Sequence, residues 1–186
     1  MLEIRIHGRG GQGVVTAAEL IAIAAFYEGH NSQAFPNFGV ERRGAPIEAY
    51  ARIDDQPIKL RSQIYNPDFI VVQDFSLLET VDVFQGAKKS TKVVINSEKK
   101  TEDIFKGRFP IDKKNILALS ATKIALDILG RPIVNTVMLG AFSYFSGIIS
   151  LSSVKKALKD KFNGDILEKN IKAVTYTYHK QKKVNI

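Results

Sequence analysis

The sequence predicts a three-layer α/β fold with a mixed, mostly parallel sheet and one β-hairpin. Three observations carry that expectation. Short apolar runs of strand type recur at 2–6, 69–73, 92–96 and 115–119. Helical patterns at 14–28, 76–84 and 121–129 alternate with them, the mark of parallel β–α units. The third is Ile47–Ile53, which alternates with period two. The turn Asp54-Asp55-Gln56-Pro57 and a second short run, Ile58–Ser62, follow it and predict the hairpin.

In chain order, Leu2-Glu3-Ile4-Arg5-Ile6 carries apolar residues at alternate positions, as a strand does. His7-Gly8-Arg9-Gly10-Gly11-Gln12-Gly13 follows, and Val14–Glu28 is then almost unbroken Ala, Ile, Leu and Val, a buried helix. A strand, a glycine-rich turn and a helix make an anion-binding corner. Glycine lets the backbone turn with φ > 0 and approach a ligand closely, and the free N–H groups of the helix start point at whatever sits there. Gly8, Arg9, Gly10, Gly11, Gln12 and Gly13 are the candidate binding residues. The same glycines would equally serve close packing of helix on strand. The spacing is not the dinucleotide fingerprint, and Asn31–Pro36 holds no carboxylate where a ribose would need one. NAD bound in the usual manner is therefore disfavoured.

Gly29–Gly44 is too rich in Gly, Pro and Asn for a helix and reads as a long irregular loop. It sets Phe35 and Phe38 beside Glu41, Arg42 and Arg43, a costly mixture to keep ordered without a partner. It is read as a partner or ligand loop, with the two arginines as a fork for phosphate or carboxylate. An internal salt bridge to Glu41 or another acid is the alternative.

Asn66-Pro67-Asp68 is a turn, and Phe69–Gln73 a buried strand ending at Asp74, a candidate site residue or a helix cap. Ser76-Leu77-Leu78-Glu79 fits a capping box for a helix to Phe84, stopped by Gly86. Residues 97–114 are charged and weakly patterned, a surface excursion. A helix over Ala121–Leu129 stops at Gly130, with Pro132 beyond. Asn135 caps a buried helix over Thr136–Phe145, and Gly140 within it predicts close approach by another backbone. Ser152 or Ser153 caps an amphipathic helix to Phe162, and Asp165–His179 is another. Residues 180–186 are expected to be a loose tail. No repeat or linker divides the chain, so 1–186 is one domain.

Composition narrows the chemistry. The absence of cysteine excludes a disulfide, a thiolate nucleophile and a cysteine-held iron–sulfur cluster from this chain. Three histidines, His7, His30 and His179, lie apart without metal-ligand spacing, so no metal site is expected. The formal charge of +8 sits largely in lysine pairs and in Lys180-Gln181-Lys182-Lys183. No arginine stripe with interleaved aromatics accompanies them, so solvated surface is preferred over nucleic acid. No apolar run spans a bilayer and no secretion signal opens the chain, which points to the cytoplasm. No general acid–base pair stands out, and no Ser-x-x-Lys, Gly-x-Ser-x-Gly, His-Glu-x-x-His or Walker sequence is present. No catalytic residue is assigned. The residues describe a binding or assembly domain, with a stand-alone nucleotide-binding protein as the competing class.

Ile4-Arg5-Ile6-His7-Gly8-Arg9-Gly10-Gly11-Gln12-Gly13-Val14-Val15, Phe35–Pro46, Asn66-Pro67-Asp68 and Asn135–Ala141 together resemble the gamma subunit of 2-oxoacid:ferredoxin oxidoreductases, in order and over nearly the whole chain. The resemblance implies a multi-subunit enzyme. It would turn pyruvate and coenzyme A into acetyl-CoA and CO₂ and pass two electrons to ferredoxin, as a pyruvate synthase does. It implies alpha, beta and delta partner subunits, with thiamine diphosphate and Mg between alpha and beta and [4Fe-4S] clusters on beta and delta. It leaves open a second copy of this chain as a further partner. Glu41-Arg42-Arg43-Gly44-Ala45-Pro46 looks like the pyruvate form, whereas the 2-oxoglutarate form tends to carry Ser before Arg and Gly-Gly after it. The glycine corner and the arginine loop are then expected to face coenzyme A or a partner subunit.

Overall fold

The computed structural model describes residues 1–37, 43–99, 101–105 and 111–184. Its strands are β1 (Leu2–Arg9), β2 (Asn31–Pro36), β3 (Pro46–Asp54), β4 (Phe69–Val72), β5 (Lys92–Asn96) and β6 (Ile116–Leu119). They form one mixed sheet in the order β2-β3-β1-β4-β5-β6. β1, β4, β5 and β6 run parallel, with Ile6 beside Val71 and Val71 beside Val94. β3 runs antiparallel to β1, Ile4 opposite Ala51, and β2 adds antiparallel outside it. The helices are α1 (Val14–Tyr27), α2 (Leu77–Thr80), α3 (Thr101–Phe105), α4 (Ala121–Leu129), α5 (Asn135–Ser146), α6 (Leu151–Lys161) and α7 (Gly164–Val184).

The period-two alternation of the strands sorts two cores onto the two faces. Ile4, Ile6, Ala51, Phe69, Val71 and Val94 bury against α1, α4, α5, α6 and α7. Ile70, Val72, Val93 and Ile95 bury against Leu77, Val83, Phe84 and Ile111. The connection after β1 crosses one face and that after β4 the other, so the strand order switches between them.

At the antiparallel end the second face is held by buried cations. Arg52 is 1% exposed; its Nε donates to Glu3 Oε1 at 2.9 Å and its guanidinium to the Ser62 carbonyl at 2.6 Å. Arg5 donates to the carbonyls of Ile64, Val83 and Gln85 at 3.3, 3.0 and 2.6 Å. Buried carbonyls need donors, and here two arginines supply them to chain that has no ladder partner.

This arrangement corrects the expected hairpin. Ile58–Ser62 is not a strand; part of its backbone is docked by Arg52. The antiparallel partner of β3 within the hairpin is β2, inside the stretch read as an irregular loop. The polar, proline-ended sequence Asn31–Pro36 is tolerated because β2 is an edge strand. Other boundaries also differ. α2 is a single turn ending at Thr80, and Ser76 does not cap it through its side chain. Ser150, not Ser152 or Ser153, caps α6, accepting from the Ser153 N–H at 3.1 Å. Val134 is the N-cap of α5, and Asn135 is its first residue. α7 runs through Lys180 to Val184 with Gln181 buried, so residues 180–184 are not a loose tail; residues 185–186 lie outside the described residues. The excursion 97–114 contains α3, and its residues 100 and 106–110 lie outside the described residues.

Gly140 meets its expected backbone neighbour on α7. A Cβ built there would lie 2.6 Å from the Val174 carbonyl oxygen and 3.1 Å from its Cα. Alanine normally favours a helix over glycine by about 1 kcal/mol, but backbone cannot yield here as a flexible side chain can. Gly140→Ala is therefore expected to destabilise the chain by about 1–3 kcal/mol, read as a lower urea midpoint. An unchanged or raised midpoint would contradict the contact.

Candidate functional site

The corner after β1 is built by glycine in two distinct ways. Gly11 and Gly13 take φ of 92° and 73°, the left-handed region where a side chain is strained. Gly8 and Gly13 also give close approach. A Cβ on Gly8 would lie 2.5 Å from Val14 Cγ2, and one on Gly13 would lie 2.5 Å from Asn135 Nδ2. The close-packing reading of the glycines holds at Gly8 and Gly13. Gly13 is the N-cap of α1 and supplies no side-chain hydrogen bond; no acid lies in the first turn. The N–H groups that start α1 are left for a ligand or solvent.

Polar side chains lock this turn to two other segments. Gln12 Oε1 accepts from the Arg9 N–H at 2.8 Å, and Gln12 Nε2 donates to Asp74 Oδ2 at 2.9 Å. Arg9 Nε lies 3.2 Å from the same carboxylate oxygen, and its other nitrogens donate to the Gly44 carbonyl at 3.0 Å and Ser76 Oγ at 2.8 Å. The Gly10 N–H donates to the Ala45 carbonyl at 2.9 Å, and the Gly44 N–H to the Gly10 carbonyl at 3.1 Å. The corner and the end of the arginine loop, Arg43–Ala45, are thus brought together, with Arg43 against Gly10 in an isolated bridge. Burial raises the Asp74 carboxyl, but hydrogen bonds from Ser76 and Gln12 and the Arg9 charge outweigh it and hold the group below the usual carboxylate range. Asp74 accepts from the Ser76 N–H at 3.0 Å and lines the adjoining cleft.

A cleft of about 820 Å³ opens beside the corner, at the carboxyl ends of β1, β4 and β5. That is where an open α/β sheet binds ligands when its strand order reverses. Gly10, Gly11, Gln12 and Arg43 form one wall. Lys99 and Arg131 bring positive charge from the far side, against Glu98 and the already engaged Asp74. Gln73 lines the cleft, 1% exposed, and neither its Oε1 nor its Nε2 has a hydrogen-bond partner among the described residues. A buried amide left without partners costs about 1–3 kcal/mol per group. Asn96 fixes the next strand end, donating to the Gln73 carbonyl and to Thr122 Oγ1, each at 2.9 Å.

Other expected residues lie elsewhere. Phe35 sits on β2, half-buried, its ring 5.1 Å from Tyr50 and 5.1 Å from the Arg52 guanidinium. Phe38, Glu41 and Arg42 lie outside the described residues. Gln73, Asn96 and Arg131 were not indicated by any sequence motif; strand order alone gathers them. Among the described residues no group of His, Asp and Glu is placed to hold a metal ion. No helix among them is long and apolar enough to cross a membrane.

His7 is buried in β1 rather than turned to the cleft. Its Nε2 accepts from Arg5 Nε at 3.0 Å, which leaves the proton on Nδ1, 3.4 Å from Glu48 Oε1. Burial, helped by the Arg5 charge, lowers its pKa to about 3. The contact with Glu48 is therefore a neutral N–H facing a carboxylate, not an ion pair.

The pyruvate ferredoxin/flavodoxin oxidoreductase family profile matches residues 3–180. Pyruvate synthase subunit PorC of Methanocaldococcus jannaschii is 55% identical over 183 residues, 98% of each chain. The pyruvate/ketoisovalerate oxidoreductases common subunit gamma of Pyrococcus abyssi is 51% identical over 180 residues, 97% of each. The crystal structure of pyruvate oxidoreductase subunit PORC from Thermotoga maritima superposes with a TM-score of 0.81 at 34% identity, covering 96% of this chain and 95% of that one.

A pH dependence follows from His7. Its folded pKa lies below its unfolded value of 6.5, so the unfolded chain binds the extra proton between pH 6.5 and 3. Stability contributed by the neutral ring is present above that window and lost as pH falls through it, by up to about 1.4 kcal/mol per pH unit. Urea midpoints of the unaltered chain and His7→Gln should diverge in slope below pH 6.5. Parallel profiles would contradict the buried neutral imidazole.

Proposed function

The chain belongs to the pyruvate ferredoxin/flavodoxin oxidoreductase family, and from that premise we propose that it is the gamma subunit of a multi-subunit pyruvate:ferredoxin oxidoreductase. The assembled enzyme converts pyruvate and coenzyme A to acetyl-CoA and CO₂ and delivers two electrons to ferredoxin. The observation that carries this reading is the match over nearly the full length of proteins named for that subunit, at about half identity. Lack of cysteine supports placing the iron–sulfur clusters in other chains. Thiamine diphosphate with Mg, and the delta-type ferredoxin chain, belong with the alpha, beta and delta subunits. The Pyrococcus relative, named as common to two oxidoreductases, supports leaving the choice of 2-oxoacid largely to those partners.

Within the complex, the glycine corner and the arginine segment face the coenzyme A path. The chemistry of the cleft fits an anionic, hydrogen-bonding ligand: the cationic side chains Arg43 and Lys99 and the buried Gln73 amide line it, and the uncapped start of α1 opens on an adjoining hollow that shares Gly11. Coenzyme A supplies, when bound, the thiol that takes up the acyl group. The role given to this chain is to orient the coenzyme through Gly10, Gly11, Gln12 and Arg43, with Gln73 lining the cleft. No proton or electron passes through these residues.

Replacing Arg42 and Arg43 together by alanine tests this role. The KM for coenzyme A should rise about tenfold, the loss of one charge-assisted hydrogen bond of about 1.5 kcal/mol, while the KM for pyruvate holds. Unchanged complex assembly with an unchanged coenzyme KM would refute it.

A further inference from the structure

On the other side of the Arg131–Val134 ridge lies a second concavity, of about 340 Å³, between the start of α1, the end of α4 and the start of α7. Its chemistry differs from that of the cleft. Ile166 and Ile133 stand 60% and 38% exposed at its rim, two of the few large apolar side chains so placed. Leu129 and Phe162 continue the apolar surface as half-buried walls. Arg131 and Lys169 add two positive charges, and no carboxylate lines the groove. Neither cation has an ion pair among the described residues.

The floor is polar and fixed. Thr136 Oγ1 donates to Asn170 Oδ1 at 2.5 Å, and Asn170 Nδ2 donates to the Ile166 carbonyl at 2.7 Å. Asn135 is 6% exposed, and its Oδ1 accepts from the Thr136 N–H at 2.8 Å. Its Nδ2 donates to no described residue. The groove thus offers apolar walls, an amide donor at the base and two unpaired cations at the edge. Exposed apolar side chains gathered in one concavity mark an interaction site. The charge balance selects an occupant that is apolar and anionic together.

We propose that this groove docks a segment of another subunit of the oxidoreductase, one that carries an apolar side chain next to a carboxylate. The apolar side chain packs between Ile133, Ile166 and Phe162, and the carboxylate meets Arg131 and Lys169. This inference rests on the reading that the chain works inside a multi-subunit enzyme. It adds a place for one contact. The groove also shares Arg131 and Ile133 with the cleft, and Asn135 abuts Gly13, so the docked segment lies directly behind the glycine corner.

The test uses the whole complex, purified through a tag on this chain after co-production with its native partners. A carbodiimide, which joins lysine amines to carboxylates in direct contact, is followed by mass spectrometry of the digest. Lys169 is expected to join an Asp or Glu of a different subunit. A chain carrying Ile166→Asp and Lys169→Glu, both on the surface, is expected to lose that subunit at a salt concentration the unaltered complex withstands. The proposal is overturned if Lys169 joins only acids of its own chain or of another copy of it. It is equally overturned if the substituted chain keeps every subunit through the same salt series. Recovery of this chain entirely alone overturns the assembly reading as well, and the missing subunits tell that failure apart.

Discussion

Asp74 is the point where three parts of the chain are tied together. Gln12 from the glycine turn, Arg9 from the end of β1 and Ser76 from the start of α2 all converge on one carboxylate. Arg9 then reaches on to the Gly44 carbonyl, so the arginine segment is drawn to the same place. A glycine turn alone is conformationally permissive; here charge-assisted hydrogen bonds of about 1.5–3 kcal/mol each restrict it. The corner can then hold its N–H groups in one orientation without a ligand present. Removing the carboxylate would leave Arg9 half-buried without its counter-charge, the costly half of a broken pair.

The rest of the architecture serves to bring that corner to a crevice. Parallel strands put the turns after β1, β4 and β5 at one edge of the sheet, and the reversal of strand order leaves a gap there. The antiparallel end has a different task. Its second face carries Arg5, His7 and Arg52 where an apolar layer would be usual, and the two arginines feed donors to the carbonyls of the loops that cover them. A neutral His7 is what allows Arg5 to donate to it at 3.0 Å.

Much of the fold is legible in the sequence because its strands and helices have strong periodicity. β1, α1, β4, β5, β6 and α4 lie where apolar spacing and glycine stops set them, and Gly140 marks the α5–α7 contact. The misreadings have common physical causes. β2 is polar and Pro-ended because an edge strand tolerates both, so it looks like a loop. Ile58–Ser62 looks like a strand, but Arg52 takes its carbonyls. α7 outlasts the expected tail because Gln181 is buried, continuing a face that apolar spacing alone does not count. In the site, the glycine corner is visible as a motif. Gln73, Asn96 and Arg131 are not, because they are far apart in sequence and only strand order joins them.

On the proposed function, this chain supplies shape and positive charge to reactions whose reactive groups belong to its neighbours. The most direct measurement is pyruvate- and coenzyme A-dependent reduction of an artificial one-electron acceptor, compared between the purified chain alone and the complex recovered from its native host. No turnover is expected from the chain alone at any concentration, and turnover is expected from a complex that contains thiamine diphosphate and iron in other subunits. Turnover by the isolated chain, or a redox centre bound within it, would overturn that role.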